Sequence, residues 1–142
     1  MLAALLAGLA INSASVGAVH ALAHQLGGRY DLAHGVCNAL LLPAVVEFNL
    51  AGARERYDRV ASAFGGDRGT GRGHGSGAAG GLAASLRQLN RTVGLPAGLG
   101  PLGVQRQDLP GLAEGALADM CMATNPRPMT GADVVGLYER AL

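Results

Sequence analysis

The sequence has no tryptophan, no lysine, only two cysteines and few charged residues for a chain of 142. Aromatic residues make up 4% of it, so a hydrophobic core must be built from aliphatic side chains. Two cysteines cannot form a disulfide framework, which favours a reducing, cytoplasmic location. The formal net charge is +1, so we expect no nucleic-acid binding through bulk electrostatic attraction. Hydrophobic residues make up 49%, which excludes an intrinsically disordered chain.

Charge is missing altogether from residues 1–28, a stretch long enough to cross a bilayer. No basic residue precedes the apolar run, as a signal peptide would require. A membrane-spanning helix would also have to carry polar groups such as Asn12, His20 and Gln25 through hydrocarbon, which is costly. We therefore expect no membrane partner. A helix that is apolar on nearly all sides should instead lie inside a helical assembly larger than this chain.

Apolar residues recur at helical spacing along the chain, and no run of strict alternation predicts a strand, so the fold class is all-α. The first helix, or a pair broken near residues 15–17, should extend to about Leu26 and end at Gly27 and Gly28. Further helices are predicted from His34 to Phe48 with a kink at Pro43, over 54–64, from Leu82 to Val93, from Leu109 to Met120, and after an N-cap at Thr130.

Glycine makes up about half of residues 65–81, which contain no large apolar side chain and should form a loop. This loop divides a single domain, 1–142, into helices within 1–64 and C-terminal helices within 82–142. Residues 75–80 spell G-x-G-x-x-G, but a dinucleotide-binding turn follows a strand, and none precedes this one. We interpret the match as chance and His74 as solvated.

Three histidines fall within fifteen residues. His20 and His24 are four apart on an apolar helix, so their imidazoles project from one face, and His34 follows a turn that can bring it beside them. Neutral imidazole is a common ligand of iron, zinc, copper and nickel. Hydrogen-bonded core histidines are the alternative. No His-Glu-x-x-His pattern is present, so a zinc protease has no general base here.

A long stretch around these histidines carries a specific pattern. Residues 17–39 read GAVHALAHQLGGRYDLAHGVCNA, and 41–43 and 48–49 continue it as LLP and FN. The pattern resembles the signature of the iron-containing (group III) alcohol dehydrogenases. The similarity extends to the end of the chain through 89–96, 102–104 and 119–127, and the tail is most similar to the lactaldehyde (propanediol) reductase branch.

The resemblance implies a helical bundle like the C-terminal domain of the dehydroquinate synthase-like fold, which in the family follows a domain that holds NAD(P). It implies that His20 and His34 bind one divalent metal, Fe²⁺ or Zn²⁺, which places metal-binding helices within 1–64. His24 would line the pocket beside nicotinamide and substrate without coordinating. The implied reaction is hydride transfer between a short-chain alcohol or aldehyde and NAD(P), with the metal as Lewis acid. Cys121 is a further candidate for the pocket wall.

The family's other two metal ligands, an Asp and a His four residues apart, have no counterpart in these 142 residues. The sequence corresponds to roughly the last third of a full-length member, without the nucleotide-binding domain. Two histidines lacking the anionic ligand should bind metal weakly. We therefore expect the isolated chain to be inactive, and to act as a homo-oligomer or with a nucleotide-binding domain. The alternative is a non-catalytic helical module that binds a partner and carries a degenerate metal site.

Several nearby residues have simpler explanations. Cys37 should be a small core residue, and Arg127 should satisfy backbone carbonyls at a turn. Asp31 either accepts a hydrogen bond from a ligand histidine or is a plain turn residue. Ala33 stands where the family usually has a proline before the second ligand histidine, which should loosen that turn. Ala44 stands where many members have a histidine.

Overall fold

A computed structural model of the chain describes residues 1–64 and 78–142, with side chains in the second range from residue 81 onward. Helices dominate and no strand occurs in those two ranges, which confirms the all-α prediction. The helices are α1 (Leu2–Ala14), α2 (Ala18–Tyr30), α3 (His34–Ala63), α4 (Ala78–Thr92), α5 (Leu109–Ala118) and α6 (Gly131–Ala141), with 3₁₀ turns at Gly100–Leu102, Arg106–Asp108 and Met120–Thr124.

The core is aliphatic, as the composition predicts, and lies between α2, α3, α5 and α6. Its largest fully buried side chain is Tyr138 on α6, whose hydroxyl donates to the Leu22 carbonyl at 2.9 Å. Burial raises the pKa of the Tyr138 phenol, so this hydroxyl stays a neutral donor. A smaller cluster joins the second half of α3 to α4 through Val46, Ala61, Leu82 and Ala83.

Both ends of α6 are fixed by the chain around it. Thr130 is the N-cap predicted from the sequence: its hydroxyl accepts the Asp133 N–H at 3.2 Å, and the Asp133 carboxylate accepts the Thr130 N–H at 2.8 Å. At the other end, the Leu99 N–H donates to the Ala141 carbonyl at 2.7 Å. Gly98 lies against the same terminus, so close that a Cβ there would fall 2.6 Å from the Leu142 carbonyl oxygen.

The break predicted near residues 15–17 is present, and it turns α1 away from the rest of the chain. Ser15 has φ 61°, and the axes of α1 and α2 differ by 98°. No residue of α1 is buried, and its large apolar side chains, such as Leu2 and Leu9, are at least half exposed. Although the sequence predicts that this apolar helix is covered inside a larger assembly, no other part of the described chain buries α1.

The end of α2 differs from the prediction. The helix continues past Gly27 and Gly28 to Tyr30, because the Tyr30 ring packs against the core and its hydroxyl donates to the Asp108 carboxylate. Asp31 ends the helix in the left-handed conformation at φ 52°, with its N–H on the Gly27 carbonyl. Tertiary contacts here outweigh the helix-stopping tendency of two glycines.

The predicted kink at Pro43 is also wrong. Residues around Pro43 keep helical geometry, and the bend in α3 lies at Ala53, where φ is −150° and ψ is 34°. A proline inside a helix deprives the carbonyl four residues earlier of its partner. Here that carbonyl belongs to Ala39, and it accepts a hydrogen bond from the Asn90 side chain on α4 at 2.7 Å. The donor from α4 removes one reason for the helix to bend.

Some residues assigned to apolar helix faces are solvent-exposed instead. The helix predicted to reach Met120 ends at Ala118, and Met120 is 86% exposed. Val60 and Phe64 at the end of α3, and Leu89 and Val93 at the end of α4, are also exposed, because those ends extend beyond the core. The stop after α4 is correct: Gly94 follows with φ 75°.

The predicted glycine-rich loop, 65–81, is too long at its C-terminal end, since α4 already begins at Ala78. The rest of the predicted loop, with His74 and the first half of the G-x-G-x-x-G match, lies outside the described residues.

In the described ranges, α3 alone is long and apolar enough to cross a membrane, and 44% of its most apolar window is buried inside the protein. The α1–α2 pair passes the same length and composition test only if its 98° bend is ignored. Core helices of soluble proteins satisfy this test too, so it carries little weight.

Candidate metal centre

The three histidines singled out in the sequence lie together at the junction of α2 and α3. The ring centroids of His20 and His34 are 5.3 Å apart, as are those of His24 and His34, and His20 lies 6.3 Å from His24. The His24 and His34 rings are nearly parallel, at 18°. Residues on one helix face and the first residue of the next helix are thus brought into one cluster.

The turn between the helices places His34. Ala33 adopts φ −59° and ψ 121°, which are angles that a proline would also adopt. The backbone at Ala33 thus has the conformation that a proline would favour. One turn into α3, the Asn38 amide donates to His34 Nε2 at 2.8 Å. An acceptor role for Nε2 leaves the proton of a neutral imidazole on Nδ1, so a metal bound through Nε2 would have to displace Asn38.

His20 is the histidine most strongly affected by its surroundings. Its Nδ1 is buried and has no hydrogen-bond partner. Burial lowers the pKa of His20, and repulsion by protonated His34 and His24 lowers it further. A neutral imidazole with an unpaired buried nitrogen has the lone pair that a metal ligand needs. By this criterion His20 fits a metal site.

His24 is held by a residue that sequence analysis did not single out. Its Nδ1 lies 2.8 Å from the Asp119 carboxylate, just after α5. The other carboxylate oxygen accepts the Cys121 N–H at 2.8 Å. Backbone and imidazole hydrogen bonds lower the pKa of Asp119, while burial and the neighbouring Asp119 raise the pKa of the Cys121 thiol. The thiol is thus a neutral group beside an ionised carboxylate.

The ligand atoms of His24, Asp119 and Cys121 lie within 4.8 Å of one another. Within the described ranges, this is the set of three that meets that distance, and it places Cys121 close to His24. Asp31, the other acidic candidate, is exposed at the end of α2 and serves as its cap. His24 and Asp119 are 95 residues apart, and no local spacing could have linked them.

A buried group of polar side chains joins the segment around Asn125 to α2 and α3. Asn49 on α3 is 2% exposed and exchanges two side-chain hydrogen bonds with Asn125, at 2.9 and 2.8 Å. Asn125 also accepts the N–H of Ala18 at the start of α2. Arg127 donates to the Phe48 carbonyl at 3.0 Å and stacks on the Phe48 ring, which confirms the structural role expected for it.

Cys37 and Ala44, two residues near the histidine positions in the sequence, are both buried. Cys37 is fully buried in the main core, which confirms its assignment as a core residue. Ala44 is also buried, at 2% exposure, between α3 and the rest of the core. Both residues therefore belong to the core and not to the histidine cluster.

The helical bundle is shared with known alcohol dehydrogenases. The chain is 44% identical over 138 residues to alcohol dehydrogenase 4 of Saccharomyces cerevisiae, covering 96% of this chain and 34% of that protein. It is 38% identical to lactaldehyde reductase of Escherichia coli over 95% of this chain and 35% of that one. A crystal structure of 1,3-propanediol oxidoreductase superposes with a TM-score of 0.86 at 38% identity, over 97% of this chain and 36% of that one.

The family model described as "Fe-containing alcohol dehydrogenase family, C-terminal" matches residues 1–142. The chain therefore belongs to the iron-containing alcohol dehydrogenase family, as the resemblance indicated, and lactaldehyde reductase is among its relatives. It spans about a third of the length of those relatives.

Proposed function

We propose that this chain is the metal-binding helical part of an NAD(P)-dependent alcohol dehydrogenase that interconverts short-chain alcohols and aldehydes in the cytoplasm. One observation carries the proposal: three imidazoles meet within 6.3 Å, and the one with the lowered pKa has a buried, unpaired nitrogen. Family membership supports the reaction class. Hydride transfer itself belongs to the nicotinamide, which the rest of the enzyme must bind and orient.

In this proposal His20 and His34 hold the metal, Fe²⁺ or Zn²⁺, as neutral imidazoles. When bound, the metal would supply Lewis-acid chemistry that lowers the pKa of an alcohol and polarises an aldehyde. His24 does not coordinate; with its side chain 42% exposed, it can hold or pass a proton between substrate and solvent. Cys121, 8% exposed behind Asp119, contributes to the pocket wall.

The remaining ligands and the nucleotide-binding site are assigned to a partner chain or segment. α1 supports this part of the proposal, because its apolar side chains are exposed in this chain and packing them against a partner would stabilise the assembly. We expect the isolated 142-residue chain to show no alcohol-dependent reduction of NAD⁺ or NADP⁺. Measurable turnover by the purified chain would contradict the assignment of the missing groups to a partner.

Metal binding can be tested on the chain as it is. Anaerobic titration calorimetry with Fe²⁺ and with Zn²⁺ should show weak binding of one ion per chain. His20→Ala and His34→Ala should each weaken it by at least about tenfold, because each removes a ligand. His74→Ala makes the same chemical change at the fourth histidine and should leave binding unchanged. Equal affinity in all four chains would refute the two-histidine site.

The alternative function, a non-catalytic helical module, is favoured by the same exposed α1. It predicts a stable metal-free homo-oligomer through that helix. Size-exclusion chromatography with light scattering, with and without EDTA, separates the two hypotheses. A metal-free oligomer combined with no metal binding would favour the module, whereas metal binding that requires His20 favours the dehydrogenase.

A further inference from the structure

The structure links His24 to Asp119 through a contact that family membership alone does not explain. Asp119 follows α5, and its carboxylate Oδ2 lies 2.8 Å from Nδ1 of His24 on α2. The contact joins α2 to the segment after α5, which lies 95 residues further along the chain. The position of the His24 ring therefore depends on a residue remote in sequence.

Asp119 is itself fixed by its own chain. Its Oδ1 accepts the Cys121 N–H at 2.8 Å and so caps the 3₁₀ turn Met120–Thr124. The Asp119 side chain is 14% exposed, against 42% for His24. One carboxylate oxygen is thus used by the backbone, and the other faces the imidazole. The carboxylate is therefore the less exposed partner of the pair and the one with a second hydrogen bond.

The chemistry of the pair determines the position of the ring proton. An ionised carboxylate only accepts hydrogen bonds, so the imidazole nitrogen facing it must be the donor. In a neutral imidazole one nitrogen carries the proton and the other keeps a lone pair. A proton on Nδ1 therefore leaves Nε2 as the acceptor.

We propose that Asp119 is a positioning residue for His24: its carboxylate holds the imidazole in the Nδ1–H tautomer and in the orientation stacked on His34, leaving Nε2 free to accept a proton. Its importance for catalysis rests on the proposed function, in which His24 faces substrate and nicotinamide. The tautomer itself does not, because it is a property of the metal-free chain.

Asp119→Asn tests this directly, because the side chain keeps its shape while one acceptor oxygen is replaced by an NH₂ donor. The Asn carbonyl oxygen can still accept the Cys121 N–H, so the amide NH₂ group is directed at His24 Nδ1. A donor at that point requires Nδ1 to accept, which moves the ring proton to Nε2. The substitution should thus invert the tautomer rather than merely loosen the ring.

The tautomer can be read from two-bond ¹H–¹⁵N correlation spectra of the histidine rings in the ¹⁵N-labelled chain, with EDTA, at about pH 8, above the ordinary histidine pKa of about 6.5. Wild type should show His24 as Nδ1–H and Asp119→Asn as Nε2–H. Asp31→Asn is the matched control, because it makes the same change at an exposed helix cap and should leave the His24 tautomer unchanged.

The proposal is overturned if wild-type His24 is the Nε2–H tautomer, or if Asp119→Asn leaves the tautomer as it was. The first outcome is measured on the wild-type chain alone, so the proposal can still be refuted if the Asp119→Asn variant fails to fold. A second result against it would be strong Zn²⁺ protection of Cys121 from alkylation that also requires His24, since the three groups would then be metal ligands; buried Cys37 serves as the internal reference. Failure of the two-histidine metal site would leave these metal-free spectra unchanged.

Discussion

Asn49→Asp is a nearly isosteric substitution at the buried junction between α3 and Asn125. In wild type each amide donates to the other's oxygen, and Asn125 also accepts the Ala18 N–H. A carboxylate at position 49 could still accept from Asn125, but it could not donate back. Its second oxygen would face the Asn125 carbonyl oxygen at a site that is 2% exposed.

The loss can be worked out from these contacts. One hydrogen bond contributes about 1 kcal/mol. Burial with a single donor should raise the pKa of the new carboxyl from about 3.9 to about 6 or 7, which costs about 3 to 4 kcal/mol at neutral pH. This cost already includes the lost hydrogen bond, so the chain should lose about 3 to 4 kcal/mol near pH 7.5. Once protonated, the carboxyl can donate to Asn125, and near pH 5 the loss should fall to about 1.5 kcal/mol, which remains because the carboxyl of the unfolded chain is still mostly ionised at that pH.

Urea unfolding of wild type, Asn49→Asp and Asn49→Leu at the two pH values measures this directly. The leucine variant loses both hydrogen bonds without introducing a charge, so its difference from wild type should not depend on pH. Only the Asn49→Asp difference should shrink on acidification. A difference that stays constant or grows as the pH falls would refute the arrangement of donors described for this junction.

Two further predictions concern close packing and protonation. Gly98→Ala should lower the free energy of unfolding by about 1 to 3 kcal/mol, since a Cβ would lie 2.6 Å from the Leu142 carbonyl oxygen. Gly136→Ala on α6, where a Cβ would meet nothing within 4 Å, should raise it by about 0.5 to 1 kcal/mol. Equal effects of the two substitutions in thermal unfolding would contradict the contact at Gly98. The pKa of His20 is lowered from 6.5 in the folded chain, so its contribution to stability is present above that pH and is lost as the pH falls through the folded value. The stability of His20→Asn should therefore decline less than that of wild type on acidification below about pH 6.5. Parallel curves for the two chains would show that His20 is not desolvated.

The sequence was sufficient for features set by local chemistry. The histidine cluster follows from a helical spacing of four and a short turn, and the cap at Thr130 follows from a hydroxyl placed before an apolar run. The end of α4 follows from Gly94 and its positive φ. In each case the residues that decide the geometry lie within a few positions of one another.

Features that depend on distant contacts could not be predicted. Pro43 does not kink α3, and the carbonyl it leaves unpaired is satisfied by Asn90 on α4. α2 passes through two glycines because Tyr30 reaches Asp108. Asp119 meets His24 across 95 residues. Periodicity and motif spacing carry no information on such pairs, so they emerge only from the assembled bundle.

The turn of residues 31–33 gives the cluster an unusual independence. His20, His24 and His34 are carried by two helices joined by three residues, so little chain entropy is spent in bringing the rings together. The hairpin brings the three imidazoles close together, whereas the orientation of the His24 ring also depends on Asp119 from outside the hairpin. Any protein that contains these two helices and this turn should keep the three histidines near one another, whatever else is built around them.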